Sequence, residues 1–242
     1  MASDRRALNR KMRQRAILDL ARDQFFERGY AAVTMSQIAA ALGGSKGTLW
    51  AYFPSKDALF SAVVADAAAQ LHADMKNILA VGSDFANNLH AFASRFNQKL
   101  TSPPSIQLQR LILSEAQRFP QLGRIFYERA FVPVLRGLSR YFTAESALGI
   151  VYFAEPDQAA FELISLLQRP QQFHLWLLEE SLGSEPAASI YLHAAVDTFT
   201  RAYQRPSAKP LNERCSKNDE YLPMLSAISP LYLPEPDGGG ER

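Results

Sequence analysis

The stretch TMSQIAAALGGSKGTLWAYFPSKDALF, from Thr34 to Phe60, places its polar groups where they can meet phosphate. Ser45, Lys46 and Thr48 put one cation and two hydroxyls at the start of a predicted helix. There, free backbone N–H groups and the helix dipole already favour an anion. Gly47 has no side chain, so the backbone can approach a groove wall closely. Trp50 and Tyr52 carry a donor N–H and a hydroxyl on large apolar bodies, suited to bracing against a sugar-phosphate strand. Lys56, at the start of the next helix, adds a cation of phosphate-reaching length. Taken singly, a Ser, Lys or Thr at a helix start is usually a solvated cap, and a Trp is more often core than contact. It is the ordered set that points to nucleic acid.

Two short helices must position these groups. Thr34 is placed to cap the first, and Gln37, three residues on, completes a capping box. Ser36 lies in the first turn, and Ile38, Ala39 and Leu42 give an apolar face at helical spacing. Gly43-Gly44 breaks that helix, and Ser45 is set to cap a second, from Lys46 to Phe53. Pro54 closes it, because the residue before proline is pushed out of the α region. Two short helices joined by a glycine turn make a helix-turn-helix, whose second helix can enter the major groove of double-stranded DNA.

The charge distribution agrees. The chain has 242 residues and a net charge of only +2, but residues 1–60 carry +5 and the remainder −3. A basic N-terminal module on a mildly acidic body is the electrostatic footprint of a DNA reader. The segment before the first helix holds Arg5, Arg6, Arg10, Lys11, Arg13 and Arg15, and reads either as an arm along the phosphates or as a solvated tail. A single cysteine, Cys215, gives no intrachain disulfide, and no apolar run reaches membrane-spanning length. No secretory signal is present either, so the expected location is the cytoplasm, with no membrane partner.

The residues from about Arg13 to Val64 strongly resemble the TetR family of bacterial transcriptional regulators. The resemblance is carried by the ILDLARDQFF helix (Ile17 to Phe26), Arg28-Gly29-Tyr30, Thr34, Ile38-Ala39, Gly43 and, above all, SKGTLWAYFPSKDALF (Ser45 to Phe60). Two positions depart from the family pattern. Gly44 stands where an aliphatic residue is usual, and Trp50 where a phosphate-contacting Tyr is usual. Further on, Phe119-Pro120-Gln121-Leu122 is similar to a phrase in the C-terminal domains of the AefR-like subgroup. The resemblance implies an all-α protein. An N-terminal three-helix helix-turn-helix domain (1–60) would precede a helical-bundle regulatory and dimerisation domain (61–204). It also implies a ligand-responsive repressor that binds a palindromic operator as a homodimer, without cofactor or metal. The extension 205–242, polar and proline-broken and then apolar from Tyr221 to Leu233, is not usual in the family and is expected to pack back onto the body or across the dimer, with Asp237 to Arg242 loose.

Beyond Phe60 the pattern is helical nearly throughout, with no alternating strand pattern. Predicted helices run from near Ser55 to Ala80, Asp84 to Leu100, Ile106 to Arg118, and through the apolar Phe119–Phe142 segment, which Pro133 should kink or interrupt. The dimer elements are expected at Pro156 to about Leu178, with Ala160, Phe161, Ile164 and Leu167 on one face, and at Glu185 to Tyr203, with Ile190, Ala194, Val196, Phe199 and Ala202. Such stripes can equally face their own core. Phe92, Phe96, Phe126, Tyr127, Phe131, Phe173 and Trp176 are candidates to line a cavity for an apolar or amphipathic small molecule, with His174 or Glu115 as polar handle. Aromatics at helical spacing are also ordinary core material. A helical dimer that binds small molecules but no longer reads DNA is the alternative function. An enzyme is not expected: His72, His90, His174 and His193 lie on separate predicted helices, and no phosphate loop or HExxH pattern occurs.

Overall fold

The computed structural model describes residues 2–43, 46–149, 151–168, 176 and 185–203. Every regular element among them is helical, as the all-α reading requires. Helix α1 (Ala2–Ala32) takes in the whole basic N-terminal segment, which is therefore helix rather than an arm. The reason is local: MASDRRALNRKMRQR has no Gly or Pro and is rich in Ala, Leu, Met, Arg, Lys and Gln, all good helix formers. The helix breaks at Gly29, whose φ of 78° and ψ of 164° suit glycine alone.

Helix α2 (Met35–Ala41) starts with the expected capping box. The Gln37 N–H donates to Thr34 Oγ1 at 3.3 Å, and the Thr34 N–H donates to Gln37 Oε1 at 2.8 Å. Gly43 then turns the chain with φ 62°. Gly44 and Ser45, the other turn residues singled out, lie outside the described residues. Helix α3 (Lys46–Tyr52) ends before Pro54, and the Ser55 hydroxyl caps helix α4 (Lys56–Ile78) by accepting the Ala58 N–H at 3.0 Å.

The head's core does not close at residue 60. Ile17, Phe25, Tyr30, Ile38, Leu49 and Phe60 share one buried cluster with Val64 of α4, Leu108, Leu111 and Ile112 of α6 (Pro103–Glu115), and Leu122 of α7 (Pro120–Phe126). The head is thus seated on the body by continuous apolar packing.

The body's core is built by α4, α5 (Phe85–Leu100), α8 (Val132–Ala147), α9 (Pro156–Leu167) and α10 (Glu185–Tyr203). Between α7 and α8 the chain forms one π-helical turn, Tyr127–Phe131. This is how the apolar segment absorbs Pro133. Proline lacks an N–H and its ring crowds the carbonyl four residues back, and a wider turn beforehand relieves both problems.

The dimer stripes divide. Ala160, Ile164 and Leu167 on α9, with Val196 and Phe199 on α10, are buried in the chain's own core, and Phe161 is half-buried against it. Ile190 is 72% exposed, and Ala194 and Ala202 are also exposed. Part of each stripe is therefore ordinary core, and the outer residues of α10 form the uncovered remainder. Two of the histidines placed on separate helices do meet: the rings of His90 and His193 stack at 4.6 Å between α5 and α10.

Candidate nucleic-acid interface and effector cavity

Helix α3 is anchored by Leu49, 2% exposed, and the chain beyond it by the buried Phe53. Gly47, Thr48, Trp50 and Ala51 are exposed on the same short helix, with Trp50 at 39%. Tyr52 is half-buried, with the Arg10 guanidinium 5.8 Å from its ring centroid, so α1 braces α3 through a cation–π contact. Thr34 is exposed and Ser36 half-buried at the start of α2.

Lys56 has a second occupation that the sequence does not reveal. Its ammonium donates to the carbonyls of Tyr30 at 2.9 Å and Val33 at 3.0 Å, and lies 4.2 Å from the Tyr30 ring centroid. It closes the C-terminal end of α1, and the desolvation that goes with this holds its pKa below the ordinary lysine value. Two of its three donors are thereby engaged within the head. Arg15 is likewise tied down, to Asp19 at 2.8 Å and to Asp66 of α4 at 2.7 Å.

Glu115 is not where a ligand handle would need to be. It ends α6 facing the break in α1, where its carboxylate accepts the N–H groups of Tyr30 at 2.6 Å and Ala31 at 3.0 Å. A Cβ on Gly29 would sit 2.5 Å from its Oε1, so any side chain there would push the carboxylate off its two N–H donors, in addition to the strain of the positive φ. The Tyr30 hydroxyl bonds Asp57, and its ring packs against Phe25, Phe60 and Phe119. The joint between α1 and α2 is therefore held by α6 on one side and α4 on the other.

A cavity of about 350 Å3 lies between α4, α5, α6, the π-helical turn and α8. Phe96, Phe126, Tyr127, Phe131 and Trp176 line it, as do Val64, Leu71, Leu108, Ile112 and Val134. Phe92 does not; it is fully buried and stacks on Phe96 at 5.6 Å behind the wall. Phe173 and His174 lie outside the described residues. The polar wall groups escaped the sequence reading. Gln109 is 7% exposed, yet donates to the Leu100 carbonyl at 3.2 Å and accepts the Trp176 indole N–H at 2.7 Å. Lys99, Ser105 and Gln168 complete them. Nothing in the spacing marks Gln109 or Lys99, because a polar residue on an amphipathic helix reads as its solvated face. Among the described residues no set of three His, Cys, Asp or Glu side chains is arranged to hold a metal.

The model for the bacterial regulatory proteins of the tetR family matches residues 17–63, and that for the C-terminal domain of AefR-like transcriptional repressors matches residues 87–205. This chain belongs to the TetR family. Solved TetR-family structures share the fold over the described region. A TetR-family regulator from Mesorhizobium loti is similar at 27% identity and a TM-score of 0.71, with 81% of this chain and 98% of that one covered. The flavonoid-responsive regulator FrrA is similar at 29% identity and a TM-score of 0.68, covering 81% and 100%. A TetR regulator from Agrobacterium tumefaciens follows at 25% identity and 0.63, covering 79% and 94%. Comparison with the curated proteins gave no match. TetR-family regulators bind DNA and dimerise, and α3 lies within the part of the chain that matches the family's DNA-binding head, as the second helix of its helix-turn-helix. No helix among the described residues is long and apolar enough to cross a membrane.

Proposed function

We propose that this TetR-family chain is a ligand-responsive repressor that binds a palindromic operator as a homodimer. The two α3 helices would enter successive major grooves, with half-sites one helical turn, ~34 Å, apart or a multiple of it. Ser45, Lys46, Gly47, Thr48, Trp50 and Tyr52 on and before α3, with Thr34 and Ser36 of α2 and Lys56 of α4, make the contacts. Dimerisation runs through residues 156–204, with the outer face of α10 supplying Ile190, Ala194 and Ala202. An apolar or amphipathic effector occupies the cavity behind the head.

One observation carries this reading: the cavity is walled by both cores. Val64, Leu108 and Ile112 belong to the head's apolar cluster, whereas Leu71, Phe96 and Val134 belong to the body's. A molecule that fills the cavity wedges the seam between them. It also bears on α6, whose last residue, Glu115, grips the α1–α2 joint. Such a ligand shifts the head only as far as its affinity differs between the two arrangements, typically by about 1–3 kcal/mol. The effector of the similar regulator FrrA, a flavonoid, is of the aromatic kind that Phe96, Phe126, Tyr127 and Phe131 would accept. The test is retardation of genomic fragments selected by the full chain. Saturable binding of a fragment bearing an inverted repeat supports the regulator, and failure to retard any fragment at low salt overturns it.

A further inference from the structure

Among the described residues that line the cavity, Lys99 is the one basic side chain, and no Asp or Glu occurs. The rest of the surface is aliphatic or aromatic apart from Ser105, Gln109, Gln168, the Tyr127 hydroxyl and the Trp176 indole. The two most deeply buried of these have partners inside the protein. Gln109 bridges Leu100 and Trp176, and the Ser105 hydroxyl meets that of Ser102 at 3.0 Å. Lys99 differs. It is half-buried on the last turn of α5, where Arg95 and Asp66 act on it only through space, and among the described residues its ammonium makes no hydrogen bond or ion pair.

From this placement we infer that the effector is an acidic amphipath: an apolar body with one carboxylate or phenolate that pairs with Lys99 at the cavity wall. This rests on the reading of the cavity as the effector site. The physical reason is desolvation. A half-buried ammonium has lost part of its hydration, and a bound anion restores a partner where medium polarity makes a charge-assisted hydrogen bond strong. Burial holds the Lys99 pKa below the ordinary lysine value and the neighbouring Arg95 charge lowers it further, only partly offset by the Asp66 carboxylate, so an incoming anion adds a partner that the site lacks. A cationic ligand meets the opposite situation, with Lys99 repelling it and no carboxylate among the described lining residues to receive it. A neutral ligand gains the apolar contacts but leaves the ammonium as it was.

Titration calorimetry with the full chain tests this, using paired probes of matched shape. Octanoate is compared with 1-octanol, and biphenyl-4-carboxylate with 4-biphenylmethanol, so that aliphatic and aromatic acids are separated as sources of the same chemistry. At least one acid is expected to bind about 10-fold more tightly than its alcohol, as a hydrogen bond to a charged group would give. Lys99→Met, which keeps the apolar stem, should erase that preference while leaving the alcohol's affinity unchanged, and Lys99→Arg should retain it. Equal affinity of acid and alcohol for the unaltered chain overturns the inference but leaves the cavity as an effector site. An acid preference that survives Lys99→Met also overturns it. Binding of none of the four probes counts against both the acidic amphipath and the effector cavity.

Discussion

Glu115 shows how one side chain can tie a sensing body to a reading head. Its carboxylate receives two backbone N–H groups just past Gly29, where a Cβ would crowd that same carboxylate. Replacing Glu115 by Ala should cost about 1–3 kcal/mol, because two donors lose a charged acceptor. Gly29→Ala should cost a similar amount, from the positive φ and the 2.5 Å approach to Glu115. Thermal denaturation of the two single variants and the double variant checks both. The double variant should lose less than the sum, since both changes break the same contact; strict additivity would show that the clasp is not shared. Neither role was legible from sequence. A Glu near an apolar stripe reads as a polar handle, and only the packing of α6 against α1 shows what it grips. Lys56 escaped for the same reason, its partners being carbonyls 26 and 23 residues earlier.

Helices were more legible than contacts, because caps and breakers are local. The Thr34–Gln37 box, the Gly43 turn, the Pro54 stop and the Ser55 cap all stand where their chemistry put them. Pro133 signalled an interruption, but whether it would kink the helix or widen it depends on what surrounds the turn. The π-helical form places Phe126, Tyr127, Ala130 and Phe131 around the cavity. The basic segment's charge reads as an arm or a solvated tail, whereas its helix propensity makes it the start of α1. Filling the cavity offers a check on these elements acting together. Ala67→Phe puts a ring into the space that Ala67 now lines on α4. Fluorescence of an anilinonaphthalene sulfonate dye bound to the native protein should fall several-fold, with the melting temperature held or raised. Unchanged dye fluorescence would mean that this space is not a binding cavity.

At the scale of the whole molecule, the two cores are joined through apolar packing, and two buried tyrosines and the half-buried Tyr203 report on their integrity. Burial raises the pKa of Tyr30, Tyr141 and Tyr203 above the usual value of 10.0; Asp57 and Glu162 reinforce it at Tyr30 and Tyr203, and Tyr141 is pushed up to about 12. Folded values above the unfolded one mean that the native chain keeps protons the unfolded chain releases. Their contribution is complete below about pH 10 and is lost progressively above it, for Tyr141 as pH passes about 12 and for the other two at still higher pH. Near-UV titration should find these three of the nine tyrosines ionising only as the helical circular dichroism collapses. Ionisation of all nine before any loss of helix would contradict the packing described.

The central claim is that the exposed face of α3 reads DNA. Retardation of a selected genomic fragment by the full chain, repeated at rising salt, tests it most directly. Affinity should fall steeply and linearly with log salt, by several orders across about 50 to 200 mM, and Lys46→Ala should reduce the slope by about 1. Binding that is absent at low salt, or indifferent to salt and to Lys46, would contradict it.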